Sequence, residues 1–562
     1  MMRGARLVPL ALVAAFLPAQ QVTSDRILHA SSEPQNWLTY GGGYASNRYS
    51  LLTKLNRNNV GDLKLKWVWR PRYTEKMEAT PIVVDGVLYT VQNSEAVAMD
   101  AATGRIFWTF HYNVPPQSNQ YLMVVKGLAI SGNSLFWATY DGHLISIDAK
   151  TGVANWNHTV FDWHQGYQFN TAPLVVKDKV IVGPATNEEG ANCWVAAFDA
   201  KTGKELWRFY TAPTSADQPE SKTWADESWK HGGSPIWVTG SYDPETNLTF
   251  WGTGNPNAGW NGDNRAGDNL YSDCVIALDA DTGKLKWHYQ FTPHDEMDWD
   301  SVQVPVLATI NWQGQPRKVV LWANRNGFFY VLDRGTGKFL LGKAFVKQNW
   351  NVGFDEAGRP MKNPALDPKP MGGPYVEPGT QGGTNWYSPS FSPRTGLFYV
   401  SAWDNYGGPS SKGIIQEWKP GGKYSGNGRP PGQAAAGRAA AGRGAAGRGA
   451  GGRRGPGNPG LRTEDEGYGA IRAIDPLTGE KKWDFKMTDY TESGLLTTAA
   501  DIIFGGDRDG TFVSLDARTG EMLWHTNLGG TVASGPVTYE VNGRQYVAIC
   551  ADNALYAFGL PD

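Results

Sequence analysis

Cysteine is nearly missing from this chain of 562 residues: there are three, Cys193, Cys274 and Cys550. None neighbours another, so at most one disulfide forms, and buried thiols are the simpler reading. No Cys-x-x-Cys-His occurs, which excludes a covalent c-type haem on this chain. Long apolar runs are missing too. Leu7 to Leu17 is the one candidate, with Arg3 and Arg6 ahead of it and Ala19 behind it. That pattern predicts a signal peptide over 1–19 and hence export to the periplasm. The run is too short to cross a bilayer comfortably; an uncleaved anchor is the alternative. A surplus of positive charge is also lacking, since the net charge is −2. From Lys423 to Arg462 there are eight basic residues and no acids, which leaves 44 basic and 54 acidic residues elsewhere. An acidic body argues against nucleic acid as a partner.

Glycine and aromatics are abundant: 68 Gly, 24 Trp and 24 Tyr. Many tight turns and many aromatics on short strands favour an all-β fold. One phrase recurs, Asp-x-x-Thr-Gly-x-x-x-Trp. It begins at Asp100, Asp148, Asp199, Asp279, Asp475 and Asp516, and Asp333 starts a degenerate copy with Leu341 in the Trp place. Asp and Thr side chains bond turn backbone, and Gly supplies positive φ. Each copy therefore reads as a β-hairpin whose returning strand carries an aromatic. One hairpin cannot bury its own apolar faces, so the repeats stack. Steps of about 50 residues suit a four-stranded propeller blade. The long gap between Asp333 and Asp475 leaves room for a blade without the phrase, and Phe391 to Val400 reads as a worn hairpin of it. Eight blades are expected over 20–562, one of them closed by the two termini, and seven stays open on counting alone. Residues from about 421 to 460 are mostly Gly, Ala, Arg and Pro. They lack the apolar side chains that offset ordering entropy, so a disordered surface insertion is expected. A basic tether to an acidic partner is its functional alternative.

The repeated phrase resembles the tryptophan-docking motif of alcohol dehydrogenases that use pyrroloquinoline quinone (PQQ), and the resemblance runs over nearly the whole mature chain. It implies an all-β, eight-bladed β-propeller and oxidation of a small alcohol. PQQ and one Ca²⁺ or lanthanide ion are the implied cofactors, and a separate cytochrome c the implied electron acceptor. Gly232-Gly-Ser-Pro-Ile-Trp237 resembles the cofactor floor, which makes Trp237 the indole under the quinone, and Gly252-Thr-Gly-Asn255 supplies an amide ligand for the metal. By the same resemblance Glu188 is a carboxylate ligand, with Glu189 the competing assignment. His294-Asp-Glu-Met-Asp298-Trp-Asp300 carries the catalytic aspartate, Asp298. If that segment is extended, Asp298 and Asp300 point the same way and share one metal. An aspartate at 300 resembles the lanthanide-dependent branch. Asn324-Arg325-Asn326-Gly327 resembles the arginine that holds the quinone oxygen. Glu78, Lys126, Asn170 and Asn385 are further quinone contacts by local match.

The chain also departs from that pattern. The stretch Ser118 to Lys126 has no adjacent cysteines, Lys126 stands where an arginine is usual, Asn170 where a threonine is, and Thr491-Glu492-Ser493 where a tryptophan covers the other quinone face. Substrate identity is thereby left open. A sugar or polyol dehydrogenase on the same fold and a non-catalytic envelope scaffold are the two rivals.

Overall fold

The computed structural model describes residues 21–72, 76–115, 124–186, 188–370, 372–428, 467–487 and 490–561. The leader expected over 1–19 and the insertion beyond Gly428 lie outside the described residues. Among the described residues no helix is long and apolar enough to cross a membrane.

Eight antiparallel sheets of four strands surround one axis, one with an added edge strand. Blade 1 is Ile82–Val84, Val87–Gln92, Glu95–Asp100 and Ile106–His111, and blades 2 to 5 repeat that up-and-down order. Blade 6 joins Ser390–Ser392 and Leu397–Asp404 to Tyr468–Ile474 and Lys481–Met487. The hairpin at 391–400 is therefore not a separate blade. It is the inner half of the blade whose outer half carries the Asp475 phrase, and the insertion parts the two halves. Blade 7 is Leu496–Thr498, Ile502–Gly506, Thr511–Asp516 and Met522–Asn527. Blade 8 takes three strands from Val537 to Gly559, and its fourth, outermost strand is Lys64–Trp69 from the other end of the chain. That exchange closes the ring, and the blade has no copy of the phrase because its outer strand is not in sequence with the rest.

The phrase holds neighbouring blades together. Asp148 Oδ1 accepts the backbone N–H of Lys150 and Thr151 and the Thr151 hydroxyl. The resulting turn sets Gly152 on the face of Trp108 from the blade before. Trp108 Nε1 in turn donates to Ala149 O at 3.0 Å. The same bond recurs from Trp67, Trp156, Trp207 and Trp483 to an alanine carbonyl in the next blade. The three cysteines are buried, free thiols.

Gly283 shows how tight this contact is. Its φ is +68°, and a Cβ there would lie 2.4 Å from the Trp207 ring. Left-handed backbone and overpacking each cost about 1–3 kcal/mol. Gly283→Ala is expected to lower the chemical-unfolding midpoint clearly, whereas alanine at Gly314, which has nothing within 4 Å, perturbs it through backbone strain alone. Equal midpoints for the two variants would show that the docking contact contributes nothing.

Alternation of strand direction fixes where function sits. The segment entering strand one and the hairpin between strands two and three lie at one end of every blade. The Asp-x-x-Thr-Gly turns, between strands three and four, lie at the other.

Candidate functional site

The expected site residues all fall at the first of those ends. Glu78, Lys126, Asn170, Trp237, Asp298, Asp300 and Asn385 lie in the segments entering blades 1 to 6. Glu188, Asn255 and Arg325 lie in the hairpins between strands two and three of blades 3, 4 and 5. The entry segments are tied in series around the axis: Thr80 N donates to Lys126 O at 2.8 Å, and Lys126 N to Asn170 O at 3.0 Å. Thr171 Oγ1 donates to Ile236 O, beside Trp237.

Asp298, Asp300 and Arg325 form one cluster. Arg325 Nη2 donates to Asp298 Oδ2 at 3.1 Å, Nη1 donates to Asp300 Oδ2, and Nε donates to Thr380 O. The two acids do converge, but not for the reason the spacing suggested. Asp298 has φ +61°, so the segment is a turn and not an extended strand. Asp295 builds that turn by accepting the N–H groups of Met297 and Trp299. Asp300 Oδ1 accepts from Asn255 N at 3.1 Å, which brings the Gly254-Asn255 hairpin against the cluster. Glu188 faces the same hairpin: Asn255 Nδ2 donates to one carboxylate oxygen at 3.0 Å and Asn257 Nδ2 to the other at 2.6 Å. Two glycines leave the room. A Cβ on Gly254 would meet Asp300 Oδ1 at 2.3 Å, and one on Gly259 would meet Glu188 Oε2 at 2.8 Å.

Burial dominates the electrostatics here. It pushes the Glu188 carboxyl up to about 7, with the charge of Asp300 adding to the effect. It raises Asp298 well above the usual carboxylate range and raises Asp300 as well, while the Arg325 guanidinium opposes both shifts. Three buried carboxylates thus act on one another's charge, and one guanidinium touches two of them. Among the described residues no three acidic, histidine or cysteine side chains are grouped so as to hold a metal ion; Arg325 and the two amides are the groups that contact these carboxylates. Glu189, the competing ligand, instead faces Lys423 at 3.6 Å.

The quinone-side residues come together around the axis. Glu78 accepts from Lys126, whose ammonium lies 3.3 Å over the Trp386 ring. Burial pushes that ammonium's pKa down. Asn385 Oδ1 accepts from Trp386 N. Trp237 is half-buried, Arg325 stands 6.0 Å over its ring, and among the described residues its Nε1 has no acceptor. Asn170 Oδ1 is likewise buried without a donor. Of the stretch from Ser118 to Lys126, residues 118–123 lie outside the described residues.

Sequence reasoning missed Asn257, which completes the hold on Glu188. It also missed the strap that opens the insertion. Residues 421–428 were expected to be loose, yet Tyr424 is buried, its N–H donates to Glu188 O at 2.7 Å, and Trp418 Nε1 donates to Glu189 O. Aromatics at 418 and 424, ahead of the Gly/Ala/Arg run, were the available signal.

Known proteins share this architecture and its sequence. The family model for the glucose/ethanol/alcohol dehydrogenase β-propeller domain, a PQQ family, matches residues 37–343. A second model, of the outer membrane assembly factor BamB, matches 467–560. The quinohemoprotein alcohol dehydrogenase of Comamonas testosteroni is 35% identical over 95% of this chain and 75% of its own. The quinoprotein alcohol dehydrogenase PedH of Pseudomonas putida is 35% identical over 97% and 90%. A solved europium-containing methanol dehydrogenase superposes with a TM-score of 0.82 at 28% identity, covering 95% of this chain and all of that one. Propeller, converging loops and sequence agree, and the chain belongs to the family of PQQ-dependent quinoprotein alcohol dehydrogenases.

Proposed function

We propose that this chain oxidises a small alcohol to the aldehyde in the periplasm, using PQQ and one bound Ca²⁺ or lanthanide ion, and passes the electrons to a separate cytochrome c. The single observation that carries the reading is the convergence of Asp298 and Asp300 on one guanidinium, with Glu188 held beside them by the Asn255 hairpin. Three hard anionic oxygens donors in excess of the local positive charge fit a di- or trivalent cation. Glu188, Asn255, Asp298 and Asp300 would hold it. The buried, unpartnered Trp237 Nε1 and Asn170 Oδ1 fit a polar, planar ligand over Trp237, because buried polar atoms are ordinarily paired. When bound, the quinone supplies the electron sink and the cation supplies Lewis acidity.

The protein's own residues do the rest. Trp237 offers an aromatic face for stacking, worth about 0.5–1.5 kcal/mol beyond burial. Asp298 takes the alcohol proton as general base. Arg325 is the donor for negative charge that develops on the acceptor oxygen. No haem motif occurs on the chain, which is why a separate acceptor is proposed. The deciding experiment reconstitutes the protein with PQQ, with Ca²⁺ and La³⁺ in parallel, and records the absorbance spectrum and alcohol-dependent dye reduction. A bound quinone chromophore with turnover supports the reading, and neither with either metal overturns it.

The raised Glu188 carboxyl makes a pH prediction. A carboxyl held higher in the folded state than its ordinary 4.5 opposes folding once pH passes that value, and the loss levels off near 7. The metal-free protein is therefore expected to melt at progressively lower temperature from pH 5 to 8. Saturating Ca²⁺ or La³⁺ is expected to abolish that decline, because the ion binds the deprotonated carboxylates. Melting curves across this range check it; a decline that persists unchanged with metal would remove Glu188 from the ligand set.

A further inference from the structure

Blades 5 and 7 are built alike at the site end. In blade 5 the second strand ends at Ala323, and Asn324-Arg325-Asn326-Gly327 sends Arg325 to the acids of that blade's entry segment. In blade 7 the second strand ends at Gly506, and Asp507-Arg508-Asp509-Gly510 repeats the pattern. Arg508 Nε faces Glu492 of its own entry segment at 3.5 Å. Glu492 also accepts from Lys76 Nζ at 2.7 Å, and Lys76 stands 3.7 Å from Glu78, the partner of Lys126. Three cations thus meet two acids along a wall that runs from blade 7 through blade 1 to blade 2. Lys126 lies over the Trp386 ring, and the charges of Glu492, Glu78, Arg508 and Arg325 all act on the adjacent Tyr387.

The wall has donors to spare. Lys76 has three N–H groups and gives one to Glu492. Among the described residues the Nη atoms of Arg508 have no acceptor, and its guanidinium lies 5.1 Å over the Tyr490 ring. The two cationic side chains are 22% and 20% exposed, so both keep access to solvent.

We propose that Lys76 and Arg508, the two cations that share Glu492, bind a carboxylate of the quinone cofactor with the donors Glu492 leaves free. This rests on the function proposed above. PQQ is a tricarboxylate, and a carboxylate matches a guanidinium fork and an ammonium. Lys126 contributes only a point charge where the family resemblance leads one to expect a fork, and Arg508 restores a fork on the neighbouring wall. The wall also stands where the resemblance leads one to expect a tryptophan at 491–493, so an ionic hold replaces an aromatic cover.

The test is a titration of the full-length, Ca²⁺-loaded protein with PQQ, followed by quenching of tryptophan fluorescence at low and high salt. Lys76→Met and Arg508→Met are each expected to weaken binding about tenfold at low salt, the size of one charge-assisted hydrogen bond, and to flatten the salt dependence. Arg508→Lys is expected to recover part of the loss. Glu492→Gln keeps an acceptor for Lys76 and removes a negative charge, so it is expected to tighten binding severalfold. Melting temperatures without cofactor are expected to match the wild type. If Lys76→Met and Arg508→Met bind PQQ as the wild type does, or if Glu492→Gln weakens binding alongside them, the assignment is wrong. A wild type that binds no PQQ with Ca²⁺ or La³⁺ removes the proposed function, and this inference with it.

Discussion

Asp298→Asn is expected to lower alcohol turnover by about 10²–10⁴, the usual contribution of a general base, with the fold unchanged. The substitution is close to isosteric. Asparagine tolerates the left-handed backbone that Asp298 adopts at φ +61°, and its amide oxygen still accepts from Arg325 Nη2. The lost property is the capacity to take a proton. Burial already holds this carboxyl well above the ordinary range, opposed by Arg325 and reinforced by Asp300 and Glu188. A cation in the pocket would return it to the ionised form a base needs. The measurement is steady-state turnover of PQQ- and metal-loaded enzyme beside its melting temperature. Near-normal turnover in the loaded variant would reassign the base, and Asp300 would be the next residue to test.

The blades were legible in the sequence because the docking phrase is a local object. Asp, Thr and Gly within five residues close one turn, and Trp four residues on reaches the next blade, so seven copies report seven blades directly. The eighth was legible only by its absence, since Lys64–Trp69 pairs with Leu555–Gly559 across the whole chain. The misreading at 391–400 has the same origin: an insertion parts the halves of blade 6, and sequence distance was taken for an extra blade. The site was less legible. Asn255, Glu188 and Arg325 sit in hairpins of different blades, and nothing local in the sequence says that an amide near residue 255 will hold a carboxylate near 188. Only the family resemblance picked them out. Asn257 and Lys76 escaped because they pair across blades, Asn257 with Glu188 and Lys76 with Glu492, and Arg508 because its partner Glu492 lies in a different segment of its own blade. Arg508 alone left a trace, the Asp-Arg-Asp-Gly that echoes Asn324-Arg325-Asn326-Gly327.

Asp300→Ala is expected to shift metal preference, with La³⁺-supported turnover falling at least tenfold further than Ca²⁺-supported turnover. Asp300 is fully buried, with one oxygen accepting from Asn255 N and the other from Arg325. Its loss removes one anionic oxygen donor and leaves Glu188, Asn255 and Asp298. The Coulomb attraction lost scales with the charge of the ion, so a trivalent cation loses about half as much again as a divalent one. The alanine variant also releases Arg325 and the Asn255 N–H, which could disturb either metal form. Asp300→Asn narrows the ambiguity, because its one amide oxygen still accepts from the Asn255 N–H while the charge and the second acceptor, which Arg325 uses, are lost. If charge decides, the asparagine variant follows the alanine variant in preferring Ca²⁺. If both metals respond alike in both variants, Asp300 serves to anchor Arg325 and the Gly254-Asn255 hairpin and is not a ligand. Asp298 would keep its role in that case, because it reaches Arg325 through a separate nitrogen.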